Sequence, residues 1–238
     1  MNEKKYDVCE ICGKMLEYST SLENYRELSC FFCKKKFSAN IFCPADHYIC
    51  DKCHSKGSIN IIEEFCEQTD LKDPFLIADI LMQHPKFKVY GPEHHVLVPA
   101  VIITALKNNG IKKPSGEEIT TLDLKEAIKR ASKIPGGWCG FYGSCGAGMG
   151  SGVAMSIFTN ATPAKDIPRT LANKMTSRAL INIADNLEHC CKRSVRISII
   201  QFLKFLNEEF SIDLKYNPKK CNFSSLNDKC EKSKCLFF

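Results

Sequence analysis

The chain lacks both an apolar segment at its start and a hydrophobic run long enough to cross a bilayer. Residues 1–10 are charged, so neither a signal peptide nor a transit peptide is expected. The most apolar stretch, residues 96–106, contains Pro99 and is shorter than the roughly 20 residues that a membrane-spanning helix needs. The sequence therefore predicts a cytoplasmic protein without a transmembrane helix and without a membrane partner.

Internal repeats and low-complexity tracts are also missing, and no Gly-Lys-Ser/Thr follows the glycine-rich stretch at residues 136–152. This excludes a Walker phosphate-binding loop, and no clear strand precedes the glycines as a dinucleotide fingerprint requires. The stretch nevertheless holds eight of the 13 glycines, a density that costs chain entropy. We expect its backbone N–H groups to approach an anionic ligand or cluster sulfides. Close helix packing through small residues is the alternative.

Cysteine, by contrast, is abundant, with 15 residues in a chain of 238. Because a reducing compartment keeps thiols free, so many cysteines without a secretion signal indicate metal binding rather than a disulfide framework. The length and the apolar fraction of 44% are those of a globular protein with one or two domains. Metals are therefore the leading explanation for the cysteines.

Eight metal ligands are predicted in the N-terminal part. They are Cys9, Cys12, Cys30, Cys33, Cys43, His47, Cys50 and Cys53. The first four form two Cys-x2-Cys knuckles that can surround one tetrahedral zinc ion, and the last four have the types and number for a second zinc. Since Cys-x2-Cys pairs follow one another, the second and last pairs could instead share an ion, or the sites could be cross-braced. The sequence does not choose between these pairings.

Seven further cysteines lack knuckle spacing and lie beside glycines and basic residues, which predicts an iron-sulfur cluster, of the 4Fe-4S type. The cluster thiolates are drawn from Cys139, Cys145, Cys190, Cys191, Cys221, Cys230 and Cys235. The last three, with any one of the first four, complete a four-iron site. Residues 192–238 carry ten basic and five acidic side chains. This excess can offset the negative charge of a thiolate-bound cluster or attract an anionic partner such as RNA. Cys66 falls on a predicted helix and stays unassigned.

Three residues are candidates for catalysis. His94 and His95 open the most apolar helix, where the helix dipole favours the neutral imidazole that binds metal or accepts a proton. Cys145 stands at a glycine-rich helix entry, a position that can activate a thiolate nucleophile.

Periodicity and capping signals predict a mainly α protein. A zinc-ribbon-like β module in residues 1–56 is expected to precede a helical metal-binding domain in residues 57–238. The β module has too small a core to fold without metal. Helices are predicted over residues 59–68, 73–84, 93–109, 114–132, 153–158, 168–187 and 194–210.

Several motifs together resemble an uncharacterised cysteine-rich family of anaerobic bacteria and archaea, domain of unknown function 5714. The motifs are Cys-x2-Cys-His at residues 50–54, Gly-Pro-Glu-His-His at 91–95, the glycine-rich segment 140–152, Cys-Cys-Lys-Arg at 190–193 and the pair Cys230 and Cys235. The resemblance covers roughly residues 40–238. It implies a mostly helical domain, occasionally joined to SAM-dependent methyltransferase domains, and no activity. Since no methyltransferase glycine loop precedes the domain here, the chain is expected to act alone or with a separate methyltransferase or redox partner.

The leading hypothesis is an iron-sulfur protein that acts in electron or sulfur transfer. In the sulfur version, an open iron holds the sulfur, the glycine-rich loop binds an anionic small molecule, and His94 or His95 handles a proton. One alternative is a zinc-binding adaptor whose basic C-terminal segment contacts RNA or protein. Another is a cluster-free thiol enzyme that uses Cys145 as its nucleophile.

Overall fold

The computed structural model describes residues 9, 11–19, 21, 24–39, 41–50, 53, 57–184 and 188–238. Within these residues, four short β-strands precede eight α-helices, which confirms a mainly α protein. The strands are β1 (Glu17–Tyr18), β2 (Arg26–Ser29), β3 (Lys36–Ala39) and β4 (Ile41–Phe42). The helices are α1 (Ser58–Gln68), α2 (Pro74–Met82), α3 (Glu93–Asn108), α4 (Thr121–Ala131), α5 (Trp138–Phe141), α6 (Gly146–Phe158), α7 (Asp166–Ile183) and α8 (Cys191–Phe210).

The β module consists of two antiparallel strand pairs. β1 pairs with β4, and β2 pairs with β3 in a register that sets Leu28 opposite Phe37. Leu28, Ala39 and Phe42 form a small apolar cluster. Because two-stranded pairs of this size are marginal on their own, the module needs cross-links, and its cysteines and histidine can supply them through metal.

Helix α3 is the centre of the helical domain. Residues 93–106 are all buried, and helices α1, α2, α4, α6 and α8 pack around α3. A helix that is apolar on every side belongs inside a core. In the part of the chain that the structure describes, no helix is long and apolar enough to cross a membrane.

Helix α6 uses glycines to approach its neighbours α3 and α7. A Cβ at Gly150 would lie 2.7 Å from the carbonyl oxygen of His95 in α3. A Cβ at Gly152 would overlap the side chain of Thr176 in α7. Close packing through small residues, the alternative expected for the glycine-rich stretch, therefore accounts for these two glycines.

The structure corrects two predicted helix starts. The helix predicted over residues 114–132, with a turn near its start, begins at Thr121. The turn contains Gly116 at φ 88°, and Asp123 caps the helix by accepting from the Thr120 N–H at 2.9 Å. The helix predicted over residues 153–158 begins already at Gly146, since tertiary packing overrides the poor helix propensity of glycine.

The other helix predictions agree with the structure within a few residues. Asp73 caps α2 as predicted, accepting a hydrogen bond from the Phe75 N–H at 2.8 Å. The helix predicted over residues 168–187 is Asp166–Ile183, and residues 185–187 lie outside the described part of the chain. Each predicted helix boundary lies close to the observed one because caps and apolar periodicity are local signals.

After α8 the chain folds back as a tail, residues 211–238, with 3₁₀ turns at Ser224–Leu226 and Lys232–Lys234. Arg196 of α8 is 1% exposed and donates to the Lys219 carbonyl oxygen of the tail at 2.7 Å. A second nitrogen of Arg196 donates to Asp79 of α2 at 2.6 Å. The ion pair joins α8 to α2, and the hydrogen bond to Lys219 holds the tail, which carries the last three cysteines, against α8.

Candidate metal centres

The N-terminal ligands form two compact tetrads. The first tetrad is Cys9, Cys12, Cys43 and His47, and the second is Cys30, Cys33, Cys50 and Cys53. Within each tetrad the ligand atoms all lie within 4.8 Å of one another. The alternating order of the pairs is the cross-braced arrangement that the sequence left open, and it replaces the sequential pairing of the first four cysteines.

The distances within the tetrads fit a tetrahedral ion. Four ligands at about 2.3 Å from zinc lie about 3.8 Å from one another. The Sγ atoms of Cys33 and Cys50 are 3.8 Å apart, and the Sγ atom of Cys9 lies 3.8 Å from Nδ1 of His47. Both tetrads could therefore hold a metal ion such as zinc.

Burial and backbone hydrogen bonds act in opposite directions on these thiols. Burial raises the pKa of Cys9 to about 11. The pKa of Cys30, which burial alone would raise, is lowered by the backbone N–H groups of Cys50 and Cys33. Such N–H donors favour the thiolate form that binds metal.

The seven C-terminal cysteines divide between two neighbouring cavities. Four of them line a cavity between the start of α8 and the tail, which we call the tail cavity: Cys190, Cys221, Cys230 and Cys235. The other three line a cavity that also contains histidines, which we call the histidine cavity: Cys139, Cys145 and Cys191. The sequence predicted one cluster that takes the three tail cysteines and one of the other four, and the tail cavity groups Cys190 with the three tail cysteines.

Local structure positions the four thiols of the tail cavity. Cys190 is the N-cap of α8. The Cys221 Sγ atom accepts from the Phe223 N–H at 3.4 Å, a contact of the kind that tunes cluster sulfur. The Cys235 N–H donates to the Lys232 carbonyl oxygen at 2.8 Å, which closes the last tail turn.

Cations border the tail cavity. Lys192 is 2% exposed, lines the cavity and donates to the Met82 carbonyl oxygen at 3.0 Å. Burial lowers the pKa of Lys192 to about 8, while Cys190 and Glu93 act against this shift. Arg193 and Arg196 also line the cavity. The cavity thus places positive charge beside four thiols, which suits an anionic ligand.

The histidine cavity collects its thiols from three helix starts. Cys139 lies in α5, Cys145 is the N-cap of α6, and Cys191 is the first residue of α8. Burial raises the pKa of Cys191 to about 12, and the thiols of Cys145 and Cys190 raise it further. Three histidines share the cavity: His94, His95 and His189.

Backbone carbonyls fix the tautomers of the two adjacent histidines. Nδ1 of His94 lies 3.0 Å from the Gly91 carbonyl oxygen, and Nδ1 of His95 lies 3.1 Å from the Ile134 carbonyl oxygen. Because a carbonyl can only accept, each Nδ1 carries the proton and each Nε2 has a free lone pair. Burial lowers the pKa of both residues, to about 3 for His94. His94 is therefore a weak proton acceptor near neutral pH.

Two features of these cavities escaped the sequence analysis. His189 lines the histidine cavity, with Nε2 3.5 Å from the Cys191 Sγ atom. Tyr90 stacks on His189 with ring centroids 5.0 Å apart and donates to Asn227 of the tail cavity at 2.9 Å. The one sequence signal for His189 as a cavity residue is its position next to Cys190. Cys66, which stayed unassigned, is fully buried in α1 as part of the core.

Comparison with known proteins places this geometry in a family. The chain belongs to a family of unknown function, DUF5714, which matches residues 62–238. No curated protein and no solved structure matches the chain. The match contains both cavities and all seven C-terminal cysteines, and it begins after both N-terminal tetrads. The Cys-x2-Cys-His motif at residues 50–54, used for the resemblance, lies outside it.

Proposed function

We propose that the tail cavity binds a 4Fe-4S cluster through Cys190, Cys221, Cys230 and Cys235, and that the protein carries electrons. The observation that carries this proposal is the convergence of four thiols on one cavity bordered by buried cations. A four-iron cluster takes one thiolate at each iron. Such a cluster would supply one-electron transfer at the junction of α8 and the tail.

The four thiols of the tail cavity are not gathered at the spacing of a single zinc ion. In the described part of the chain, only the N-terminal tetrads have three or more donors within 4.8 Å of one another. Ligands of one zinc ion must lie about that close, whereas thiolates around a cube of four irons lie farther apart. The two tetrads provide the comparison, because their ligand atoms lie at the distances expected around one zinc ion in the same chain.

The charge of the cavity supports the same ligand. A cluster bound by four thiolates is anionic, and Lys192 and Arg196 provide buried positive charge beside it. Arg196 keeps its counter-ion Asp79, so Lys192, which lacks an ion pair of its own among the described residues, is the main compensating charge. Burial of anionic sulfur would otherwise be costly.

Electron transfer fits this centre better than sulfur transfer. A sulfur atom in transit needs an iron without a protein ligand, and four thiolates leave no such iron in the tail cavity. The N-terminal tetrads would hold zinc and stabilise the β module, which is too small to fold unaided. In this proposal zinc has a structural role and iron a redox role.

The test is metal analysis on protein purified without oxygen. Replacement of Cys230 and Cys235 by Ser is expected to remove about four iron and four sulfide per chain and to leave zinc unchanged. Cys66→Ala, which removes a buried thiol from α1, is the matched control and keeps its iron. Full iron content in Cys230→Ser/Cys235→Ser would refute the assignment.

A further inference from the structure

We propose that the histidine cavity is a second iron-sulfur centre, ligated by Cys139, Cys145 and Cys191 and, at the remaining iron, by Nε2 of His95. This goes beyond the proposed function, since it uses none of the tail-cavity cysteines. The seven C-terminal cysteines then serve two centres, four in one and three in the other.

The cavity is built as a ligand site. It is lined by thiols from α5, α6 and α8, so that three separate helix starts converge on it. Glycines at 136, 137 and 146 form much of the remaining wall, and they leave room where a side chain would stand. The first-turn N–H groups of α6 have no intrahelical partner and suit anionic sulfur.

His95 is held in the way that a metal-binding imidazole is held. Its Nδ1 is held by the Ile134 carbonyl oxygen, the outer contact that typically orients a metal-binding histidine. A Cβ at Gly146 would overlap the His95 ring, so the ring lies against the helix start beside Cys145. His94, which also lines the cavity, is fully buried. Its Nε2 has no hydrogen-bond partner among the described residues, which leaves a second lone pair near the site.

The donors of the histidine cavity are not gathered as zinc ligands are. Cys139, Cys145 and Cys191 are not among the sets of three donors within 4.8 Å that the described residues contain. This favours a polynuclear centre, whose ligands lie farther apart than those of one ion. An imidazole in place of a thiolate raises the reduction potential of an iron-sulfur centre, so the two centres would differ in potential.

Consecutive residues join the two centres. Cys190 lines the tail cavity and Cys191 lines the histidine cavity, and neighbouring Cα atoms are only about 3.8 Å apart. The two centres would therefore be near neighbours, and paramagnetic centres whose ligands are consecutive residues interact magnetically. Electron paramagnetic resonance of the fully reduced protein should therefore show splitting or broadening that a single centre lacks.

The experiment compares iron content in two sets of variants purified without oxygen. The full chain is expected to contain about eight iron, and Cys139→Ser/Cys145→Ser about four. Cys230→Ser/Cys235→Ser is also expected to retain about four, now in the histidine cavity. Cys139 is exposed, so the single variant Cys139→Ser should fold even if the double variant does not. Its iron content then provides the same test.

The two proposals can fail separately. If Cys139→Ser and Cys139→Ser/Cys145→Ser keep all the iron, the second centre is refuted and the tail-cavity cluster stands. If Cys230→Ser/Cys235→Ser keeps all the iron and the Cys139 variants lose iron, the tail-cavity assignment fails and the second centre stands. Zinc in place of iron in the histidine cavity, or an alkylatable Cys145 with no metal there, would overturn the proposal.

Replacement of the histidines tests the fourth ligand. His95→Cys, which exchanges a neutral imidazole for a thiolate, is expected to keep its iron but to change the g-values and lower the reduction potential of one centre. Leu122→Ala, at an exposed position of α4, is the control and should leave both unchanged. His189→Ala tests the competing imidazole, whose Nε2 lies 3.5 Å from the Cys191 Sγ atom, and a potential shift in His189→Ala but not in His95→Cys would overturn the assignment of His95.

Discussion

Replacing Gly150 by Ala should disturb both the packing of α6 and the histidine cavity. The added Cβ would lie 2.7 Å from the carbonyl oxygen of His95 and 3.0 Å from Cδ of Pro99. That carbonyl belongs to the backbone of α3, and its usual helical donor four residues later is Pro99, which has no N–H. The contact cannot be relieved by rotating a side chain, so α6 must move away from α3.

The size of the effect follows from two opposing contributions. Overpacking a core position costs about 1–3 kcal/mol, while Gly to Ala within a helix returns about 1 kcal/mol of propensity. The control Gly140→Ala, in α5, has nothing within 4 Å of the new Cβ and receives only the propensity gain. We therefore expect the two variants to differ by about 2 kcal/mol, or about 4–8 °C in melting temperature for a chain of this length.

Thermal unfolding followed by circular dichroism, on anaerobic protein of matched metal content, measures this difference. Because α6 carries Cys145 and α3 carries His95, Gly150→Ala should also lower iron occupancy of the histidine cavity, while zinc stays constant. Equal melting temperatures for Gly150→Ala and Gly140→Ala would show that the helices are not in the tight contact described, and the reasoning would fail.

Three further predictions follow from other parts of the chain. Ser211 ends α8 with φ 55°, so Ser211→Gly should stabilise the protein by about 1 kcal/mol, and an unchanged melting temperature would contradict this. Cys53→Ala should lose one zinc per chain by metal analysis because it opens a tetrad, whereas Cys66→Ala should lose none. Lys192→Met should lower the reduction potential of the tail-cavity cluster in a redox titration, since a buried cation that favours the reduced form is removed. Lys174→Met, at an exposed position of α7, is the control. Equal potentials in the two variants would refute the role of Lys192.

Much of the fold could be predicted because its signals are local. Helix α3 shows an apolar run that ends just before Gly110, and α2 begins at an Asp-Pro cap. These features depend on neighbours along the chain. The start of α6 could not be read in the same way, because glycine disfavours helix and only contact with α3 and α7 stabilises the helix there.

The ligand residues were easier to predict than their partners. Cysteine chemistry identifies all eight tetrad residues in the sequence, but cross-braced pairing depends on how the strands fold. Likewise, nothing in the sequence separates Cys190 from Cys191. Their division between two cavities follows from helix α8 beginning at Cys191, because successive residues at a helix start point in different directions.

The range of the family match bears on which of these sites matters for function. DUF5714 matches residues 62–238, which contain the tail cavity and the histidine cavity but none of the tetrad ligands. A site on which the family's activity depends should fall within the matched domain, whereas an element that only stabilises one chain need not. The two cysteine cavities are therefore where the family's chemistry should be sought. The tetrads could hold metal ions such as zinc and would then support the β module, whose Phe32 ring centroid lies 4.2 Å from that of His84, just after α2.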